Sequence, residues 1–478
     1  MTEGALAFHR RIDAALADEG LRAALALTTA RLAGGRAAAF GALPDAEPSR
    51  DAARRARAAA IARLDAHLEQ FERAVTARGG SVHWADTAAD ARRIVTTIAR
   101  ERGIRLAVKS KSMATEEVEL NAALEQAGVR VVETDLGEFV VQLGDDRPSH
   151  IITPIIHLSR QQVAALFREK LGATPEEVAD IPAMTAFARR TLRTEFLQAG
   201  MGISGVNLAV ADTGSICIVT NEGNGRLTTS VPRVHVALMG LERIVPTAAD
   251  LAAVLRVLAR SATGQASSVY TNIVTGPRRR GAASAEGEPD GPDELHIVIL
   301  DNGRSRMLAS DLAEILYCVR CGACLNVCPV YRAIGGHAYG GVYPGPVGSV
   351  VMPGLHGLDA WAELAQASSL CGACRDACPV KIDLPRLLLA VRRQGAERRL
   401  TPIWLRAAMT LYAAVAARPQ LYRWAGDAAA RLAALVQRDG WIGRLPGPLA
   451  AWTDSRDFPA PAARSFMDTH RARKDGAP

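Results

Sequence analysis

The sequence predicts an α/β protein with a largely parallel sheet, followed by a mainly α-helical cysteine-rich part and a helical C-terminal region. Three observations carry this reading. Between about residue 81 and 300, short apolar runs alternate with segments of helical periodicity. The first 78 residues show apolar positions at helical spacing throughout. Seven of the eight cysteines fall between positions 318 and 378. A chain of 478 residues with 49% apolar content is also longer than a single core usually supports.

In chain order, residues 1–78 form an N-terminal helical region. Its pattern is typified by DAARRARAAAIARLDAHLEQFERAVTARGG, and Gly79-Gly80 stops it as a helix end should. Residues 79–304 form the α/β part. Its candidate strands are 105–108, 129–133, 139–143, 208–211, 216–220, 235–239 and 296–300. Helical segments lie between them, at 115–126 and 161–171 for example. The polar Gly/Pro-rich stretch 276–294 precedes the final strand and reads as an insertion. Residues 305–395 hold the cysteines. Residues 396–478 are helical and contain Trp404, Trp424, Trp441 and Trp452, four of the six tryptophans, with a frayed tail after about Arg464.

The net charge of +7 is small for this length. It permits an acidic partner or an anionic membrane surface and gives no sign of nucleic-acid binding. The start, MTEGALAFHRRIDAALADEG, is charged throughout and has no secretory pattern. No stretch reaches the ~18 uninterrupted apolar residues of a membrane span. Tightly spaced cysteines in such a chain predict metal binding in a reducing, cytoplasmic compartment rather than disulfides.

The first motif reads Cys318-Val-Arg-Cys321-Gly-Ala-Cys324-Leu-Asn-Val-Cys328-Pro329, the C-x2-C-x2-C-x3-C-P run of bacterial-type ferredoxins. Three thiolates on one tight loop can each reach a different iron of a cubane, while the fourth points away toward another cluster. The second motif is Cys371-Gly-Ala-Cys374-Arg-Asp-Ala-Cys378-Pro379, and CGACLNVCPV and CGACRDACPV agree at seven of ten positions. Ser368 stands where a leading cysteine would be. Crossing the fourth cysteines predicts two iron–sulfur clusters, [4Fe-4S] in type. The first takes Cys318, Cys321, Cys324 and Cys378; the second takes Cys328, Cys371 and Cys374. The open fourth position of the second leaves several options: oxygen from Ser368, a partner residue, water, a [3Fe-4S] form, or His337 or His356 from the intervening loop. Structural zinc fits a four-plus-three set poorly. Cys217, in SICIVT, reads as a buried structural thiol.

At this point the chain resembles the lactate-utilisation iron–sulfur protein B family. VKSKSMATEEVELN, GVNLAVADTGSICIVTNEGNGR, VPRVHVALMGLERIVP, VYPGPVGSV, both cysteine motifs and the Trp-rich C-terminal region carry the resemblance, from about residue 20 to 470. It implies an LUD domain similar to the sugar-phosphate isomerase and CoA-transferase folds. It also implies a part in converting L-lactate to pyruvate, and a three-cysteine second motif as a family trait. Two partner proteins are implied, one with cysteine-rich repeats and one a stand-alone copy of the α/β domain.

Catalytic residues stay unassigned. Asp212–Ser215 and Asn221–Arg226, joined by Lys109 and Lys111, are a candidate small-anion pocket, with Glu222 as a conceivable base; connecting turns are the plainer alternative. No G-x-G-x-x-G follows a strand, so no nucleotide fold is signalled. His150, His157 and His235 read as structural. The segment TPIWLRAAMTLYAAVAARPQLYRWAG suits either helix packing or a peripheral contact with the inner membrane face, where a quinone could take electrons. The expected function is an electron-transfer subunit, not catalytic alone. The alternatives are a structural iron–sulfur scaffold with a metabolite-binding α/β domain, and the iron–sulfur subunit of another 2-hydroxy-acid dehydrogenase.

Overall fold

The structure, a computed structural model, describes residues 3–278, 291–454, 456–474 and 476. It comprises two compact units, Met1–Leu400 and Thr401–Pro478. The first opens with four helices: α1 (Glu3–Ala17), α2 (Glu19–Gly41), α3 (Ala46–Ala62) and α4 (Leu64–Thr76). Gly79, at φ +84°, ends the last of them, where the Gly80 N–H returns to the Val75 carbonyl.

Ten strands follow among the described residues of this unit: β1 Ser81–Ala85, β2 Leu106–Lys109, β3 Arg130–Glu133, β4 Met201–Gly205, β5 Leu208–Val210, β6 Ser215–Thr220, β7 Val234–Gly240, β8 Ile244–Val245, β9 Tyr270–Val274 and β10 Glu294–Leu300. Six form one sheet in the order β1-β10-β7-β4-β2-β3. Every pairing in it is parallel, with His296 opposite Val236 and Met201 opposite Val234 in the centre. A second, mixed sheet runs β8-β5-β6-β9.

Both faces of the main sheet are covered, so its strands read as continuous apolar runs. Along β10, Val298 and Leu300 join a core with Ala91, Val95 and Ile98 of the helix Ala88–Glu101. Ile297 and Ile299 point the other way, into a core shared with the second sheet, the N-terminal helices and the cysteine motifs. That core is continuous from Phe8 and Leu25 through Leu208 and Ile216 to Leu325 and Tyr331.

Several elements differ from the sequence reading. The expected strand 139–143 is the C-terminal part of a helix, Leu136–Leu143, because the Asp135 carboxylate accepts from the Gly137 and Glu138 N–H groups and caps it. The expected helix 115–126 is broken at Val118-Glu119, where Glu119 takes φ +51°. Strands β1, β4, β8 and β9 were not signalled. β4 is central yet reads Met-Gly-Ile-Ser-Gly, and its glycines are there for space: a Cβ on Gly202 would sit 1.8 Å from the Thr228 carbonyl oxygen. Most of the insertion 276–294 lies outside the described residues; its ends meet where the Arg278 N–H donates to the Pro292 carbonyl (2.8 Å).

In the second unit, the helices Ile403–Ala416 and Pro419–Ala434 pair. Trp404, Leu411, Tyr412, Trp424 and Leu435 are exposed. The tail expected to fray contains an exposed helix, Phe466–Lys474. Among the described residues no helix is long and apolar enough to cross a membrane.

Gly202→Ala drives a methyl into a main-chain carbonyl that cannot swing away. The expected outcome is a loss of about 3 kcal/mol or more in unfolding free energy, measured by thermal or denaturant unfolding.

Candidate metal centre

The two cysteine motifs share a backbone device. Arg320 and Gly322 flank Cys321 at φ +56° and +73°; Leu370 and Gly372 flank Cys371 at +54° and +87°. Left-handed residues on either side of a cysteine fold the loop into a bowl and turn peptide N–H groups inward. Short helices follow each bowl, Ala323–Asn326 and Ala373–Ala377. Two peptide donors already face sulfur: Arg320 N–H to Cys318 Sγ and Ile382 N–H to Cys378 Sγ, both 3.3 Å.

The fold brings Cys318, Cys321, Cys324 and Cys378 around one pocket of about 370 Å³, its mouth included. Ile151, Val347, Val380, Ile382 and Leu384 give it an apolar lining. Cys378 comes from the second motif and faces Cys318 and Cys321 of the first. Conversely Cys328, from the first motif, neighbours Cys371 and Cys374. Helix α3 latches the second motif in place: Arg50 donates to the carbonyls of Asp376 (2.9 Å) and Cys378 (2.8 Å), and Arg54 to those of Val380 (3.2 Å) and Lys381.

Burial raises the pKa of Cys321 and Cys324 and moves Cys378 up to about 11, with neighbouring sulfurs adding repulsion. A cationic iron core removes both penalties. The two sets differ in setting. Cys371 is exposed, and peptide and hydroxyl contacts from Ala373 and Ser369 draw its pKa down; burial moves Cys374 up to about 12. Ser368 Oγ accepts from the Leu370 N–H (3.2 Å), beside the second set. His337 and His356 are occupied elsewhere: His337 Nε2 meets the Arg147 carbonyl (2.7 Å), and the His356 ring packs against Trp361.

Sequence reasoning missed the charges around Cys318. Arg57, Arg243, Arg304 and Arg320 are buried with only two carboxylates, Glu117 and Glu242. Arg304 binds Glu117 through both terminal nitrogens (2.9 and 2.7 Å) and Glu242 through Nε (2.7 Å); Tyr343 adds a hydroxyl to Glu117 (2.8 Å). Burial works to raise the Glu242 carboxyl, but Arg304, Arg243 and Arg320 hold it down at about 2. Arg243 Nη1 donates to the Cys318 carbonyl (3.2 Å), and Arg57 to those of Leu316 (2.9 Å) and Tyr317 (3.3 Å). Two positive charges remain unmatched in this buried group. Arg320 Nε and Nη1 are buried without a partner. A cubane with four thiolates carries two negative charges and offers sulfur acceptors, so the residues present fit it in both charge and hydrogen bonding. The signal was in view, since Arg320 lies inside the first motif and Glu242-Arg243 inside GLERIVP.

The expected anion pocket is split. Asp212–Ser215 and Asn221–Arg226 flank opposite ends of β6, about 20 Å apart for a strand of this length. The first is a hairpin turn closed by Gly214 N–H on the Val210 carbonyl, packed on α4. Lys109 is buried against Glu116 (2.6 Å) and Glu133 (2.7 Å). Lys111 donates to the Ile152 carbonyl (2.7 Å) and lies 3.8 Å from Glu138. Burial raises Glu138 to about 8, and burial with Asp135 nearby raises Glu222 to about 7. The ends of β2 and β3 thus hold more carboxylates than cations and suit an anion poorly.

His150 forms part of the wall between this acidic region and the cysteine pocket. Its Nδ1 accepts from the Ile152 and Thr153 N–H groups (3.0 and 3.1 Å), so Nε2 carries the proton and donates to Asn326 Oδ1 (3.1 Å). Burial, with Lys111 nearby, lowers its pKa to about 3. His235 is likewise buried, on Ser204 Oγ (2.8 Å). Cys217 is fully buried in β6, and burial moves its thiol up to about 12.

The geometry defines an iron–sulfur protein whose cysteine bowls are built against a parallel α/β domain. Comparison with known families agrees: residues 68–300 match the LUD domain, 314–382 the 4Fe-4S dicluster domain, and 390–475 the C-terminal region of lactate utilisation protein B. The chain is 44% identical to lactate utilization protein B of Bacillus pumilus over 480 residues, covering 99% of both chains. It is 44% identical to that of Shouchella clausii over 472 residues, covering 98% of both, and 43% identical to that of Macrococcus caseolyticus over 479, again 98% of both. The chain therefore belongs to the lactate utilisation protein B family. A solved DUF162 family protein from Deinococcus radiodurans is similar over 50% of this chain and 98% of its own, at 13% identity and a TM-score of 0.28, too loose to carry detail.

Replacing Arg320 by Gln removes an adjacent positive charge. The expected outcome is a cluster at Cys318 that is harder to reduce, by about tenfold or about 59 mV, in an EPR-monitored redox titration. His150 stays neutral when folded, so the unfolded chain takes up its proton first as pH falls below about 6.5. Its contribution is present above that pH and declines by about 1.4 kcal/mol per unit toward pH 3. His150→Asn is expected to melt lower at neutral pH but to lose less on acidification, measured by melting temperature under anaerobic conditions.

Proposed function

We propose that this chain is the electron-transfer subunit of an assembly that oxidises L-lactate to pyruvate. The observation behind the reading is the crossed arrangement of thiols: Cys378 faces those of the first motif beside an apolar pocket, and Cys328 neighbours Cys374 and the exposed Cys371. Family membership supplies the physiological setting. Oxidising a 2-hydroxy acid releases two electrons and two protons. Paired clusters accept single electrons and pass them on; they do no hydride chemistry themselves.

In this reading Cys318, Cys321, Cys324 and Cys378 hold one [4Fe-4S] cluster. Cys328, Cys371 and Cys374 hold the second, which is either a cubane with a non-cysteine fourth ligand or a [3Fe-4S] form. Supporting it, Cys378 faces the thiols of the first motif and Cys328 those of the second. The protein would act in the cytoplasm with two lactate-utilisation partners, one bearing cysteine-rich repeats and one a stand-alone LUD domain. The exposed Trp404, Tyr412 and Trp424 offer apolar surface for a partner or for the inner face of the membrane.

Anaerobically purified protein is expected to hold about eight irons for two cubanes, or about seven with a three-iron second cluster. Cys378→Ala is expected to abolish the EPR signal of the cluster at Cys318, Cys321 and Cys324 while sparing that at Cys371 and Cys374; damage confined to the latter sinks the crossed assignment. Normal growth on L-lactate by a deletion strain with no second lactate oxidase counts against the functional reading itself.

A further inference from the structure

Outside the cysteine sites, one group of side chains has the makings of a metal site. The turn after the helix Leu136–Leu143 puts Asp145 at φ +49° and projects Asp146, whose Oδ1 is fixed by the Arg147 N–H (2.7 Å). Eleven residues on, His157 sets Nε2 2.8 Å from the other oxygen, Oδ2. The third member comes from the loop between the cysteine motifs: His337 Nε2, which donates to the Arg147 carbonyl (2.7 Å), lies 3.8 Å from Asp146 Oδ1, and the two imidazoles meet edge to face with centroids 4.5 Å apart. One donor atom from each of the three residues lies within 4.8 Å of the others.

Their mutual placement does not depend on the side chains alone. Gly336 lies so close to the 146–157 loop that a Cβ on it would sit 1.8 Å from the Ser149 carbonyl oxygen. Gly336 N–H donates to Ser149 Oγ (3.3 Å), and the buried Tyr331 hydroxyl to the Ser149 carbonyl (2.7 Å). His337 is thereby carried to the Asp146–His157 pair on a main-chain frame. In the free protein Nε2 of each imidazole carries the hydrogen, donating to Asp146 and to the Arg147 carbonyl; an ion bound there takes that place as each ring's proton moves to Nδ1.

We propose that Asp146, His157 and His337 bind one divalent first-row cation, zinc(II) before others, without using any cysteine. Two imidazole nitrogens and one carboxylate oxygen are a borderline-soft N2O set, and tetrahedral zinc with bonds of about 2.0–2.1 Å wants such donors about 3.4 Å apart. The Asp146 separations of 2.8 and 3.8 Å bracket that spacing, and binding exchanges the hydrogen bonds of His157 and His337 for bonds to the ion. A solvent-facing fourth position would go to water. The ion would pin the inter-motif loop to the α/β domain.

The test uses full-length protein purified anaerobically with its iron intact. Zinc(II) is added at low micromolar concentration, and bound zinc and iron are counted together after equilibrium dialysis. The expected result is one zinc per chain with iron unchanged, and an affinity at least tenfold weaker in each of His337→Gln and His157→Gln, whose iron content matches wild type. Equal zinc affinity in wild type and both variants overturns the proposal, leaving Asp146 and His157 a hydrogen-bonded pair. No bound zinc, or zinc taken up only as iron is lost, overturns it as well.

Discussion

Arg304 is buried between Glu117 and Glu242, and its charge is tolerable there only because both carboxylates are present and hydrogen-bonded to it. Removing one partner from such a buried pair costs about 3–5 kcal/mol, far more than an exposed ion pair contributes. The group does more than hold itself together. Glu117 follows β2, Glu242 follows β7, Arg304 follows β10, and Tyr343 and Arg320 belong to the cysteine-bearing segment. The carboxyl ends of the main-sheet strands are thus fastened to the first cysteine bowl by charge, and Gly240 is small because a Cβ there would meet Glu242 Oε2 at 2.1 Å. The unmatched guanidinium charges lie near Cys318, where an anionic cluster suits them.

The parts of the fold legible in the sequence were those where local pattern and tertiary role agree. β7 and β10 are buried on both faces, so Val234–Gly240 and Glu294–Leu300 announce themselves as apolar runs. Helices such as Arg160–Leu171 carry their own capping box. β4 was hidden because close approach to the Thr228 carbonyl demands glycine at Gly202, and glycine is a poor strand signal. The run Phe139-Val-Val-Gln-Leu143 was misread because a short apolar stretch fits a strand and a buried helix equally, and Asp135 settles the matter four residues upstream, as the helix N-cap.

The cysteines were legible because iron–sulfur chemistry imposes a spacing on the chain itself. The residues that tune them were not, since their relation is long-range. Arg57 reaches the Tyr317 carbonyl across 260 positions, and no local pattern encodes such a contact. The candidate anion pocket failed for a related reason. Glycine-rich turns at Asp212–Ser215 and Asn221–Arg226 look alike in sequence, but a strand separates them and opposite ends of it cannot line one cavity.

The latch between α3 and the second motif bears on how the protein is made. Arg50 and Arg54 leave the ribosome more than three hundred residues before the carbonyls of Cys378, Val380 and Lys381 that they hold. Cys318 likewise waits for Cys378, its neighbour across the pocket. The N-terminal helices can form early, yet the vessel for the buried cluster stays open until the chain has been translated past Ile382. A chain that stops just short of that point lacks one wall of the cup, together with Leu384, Leu387, Leu388 and Val391 of the common core.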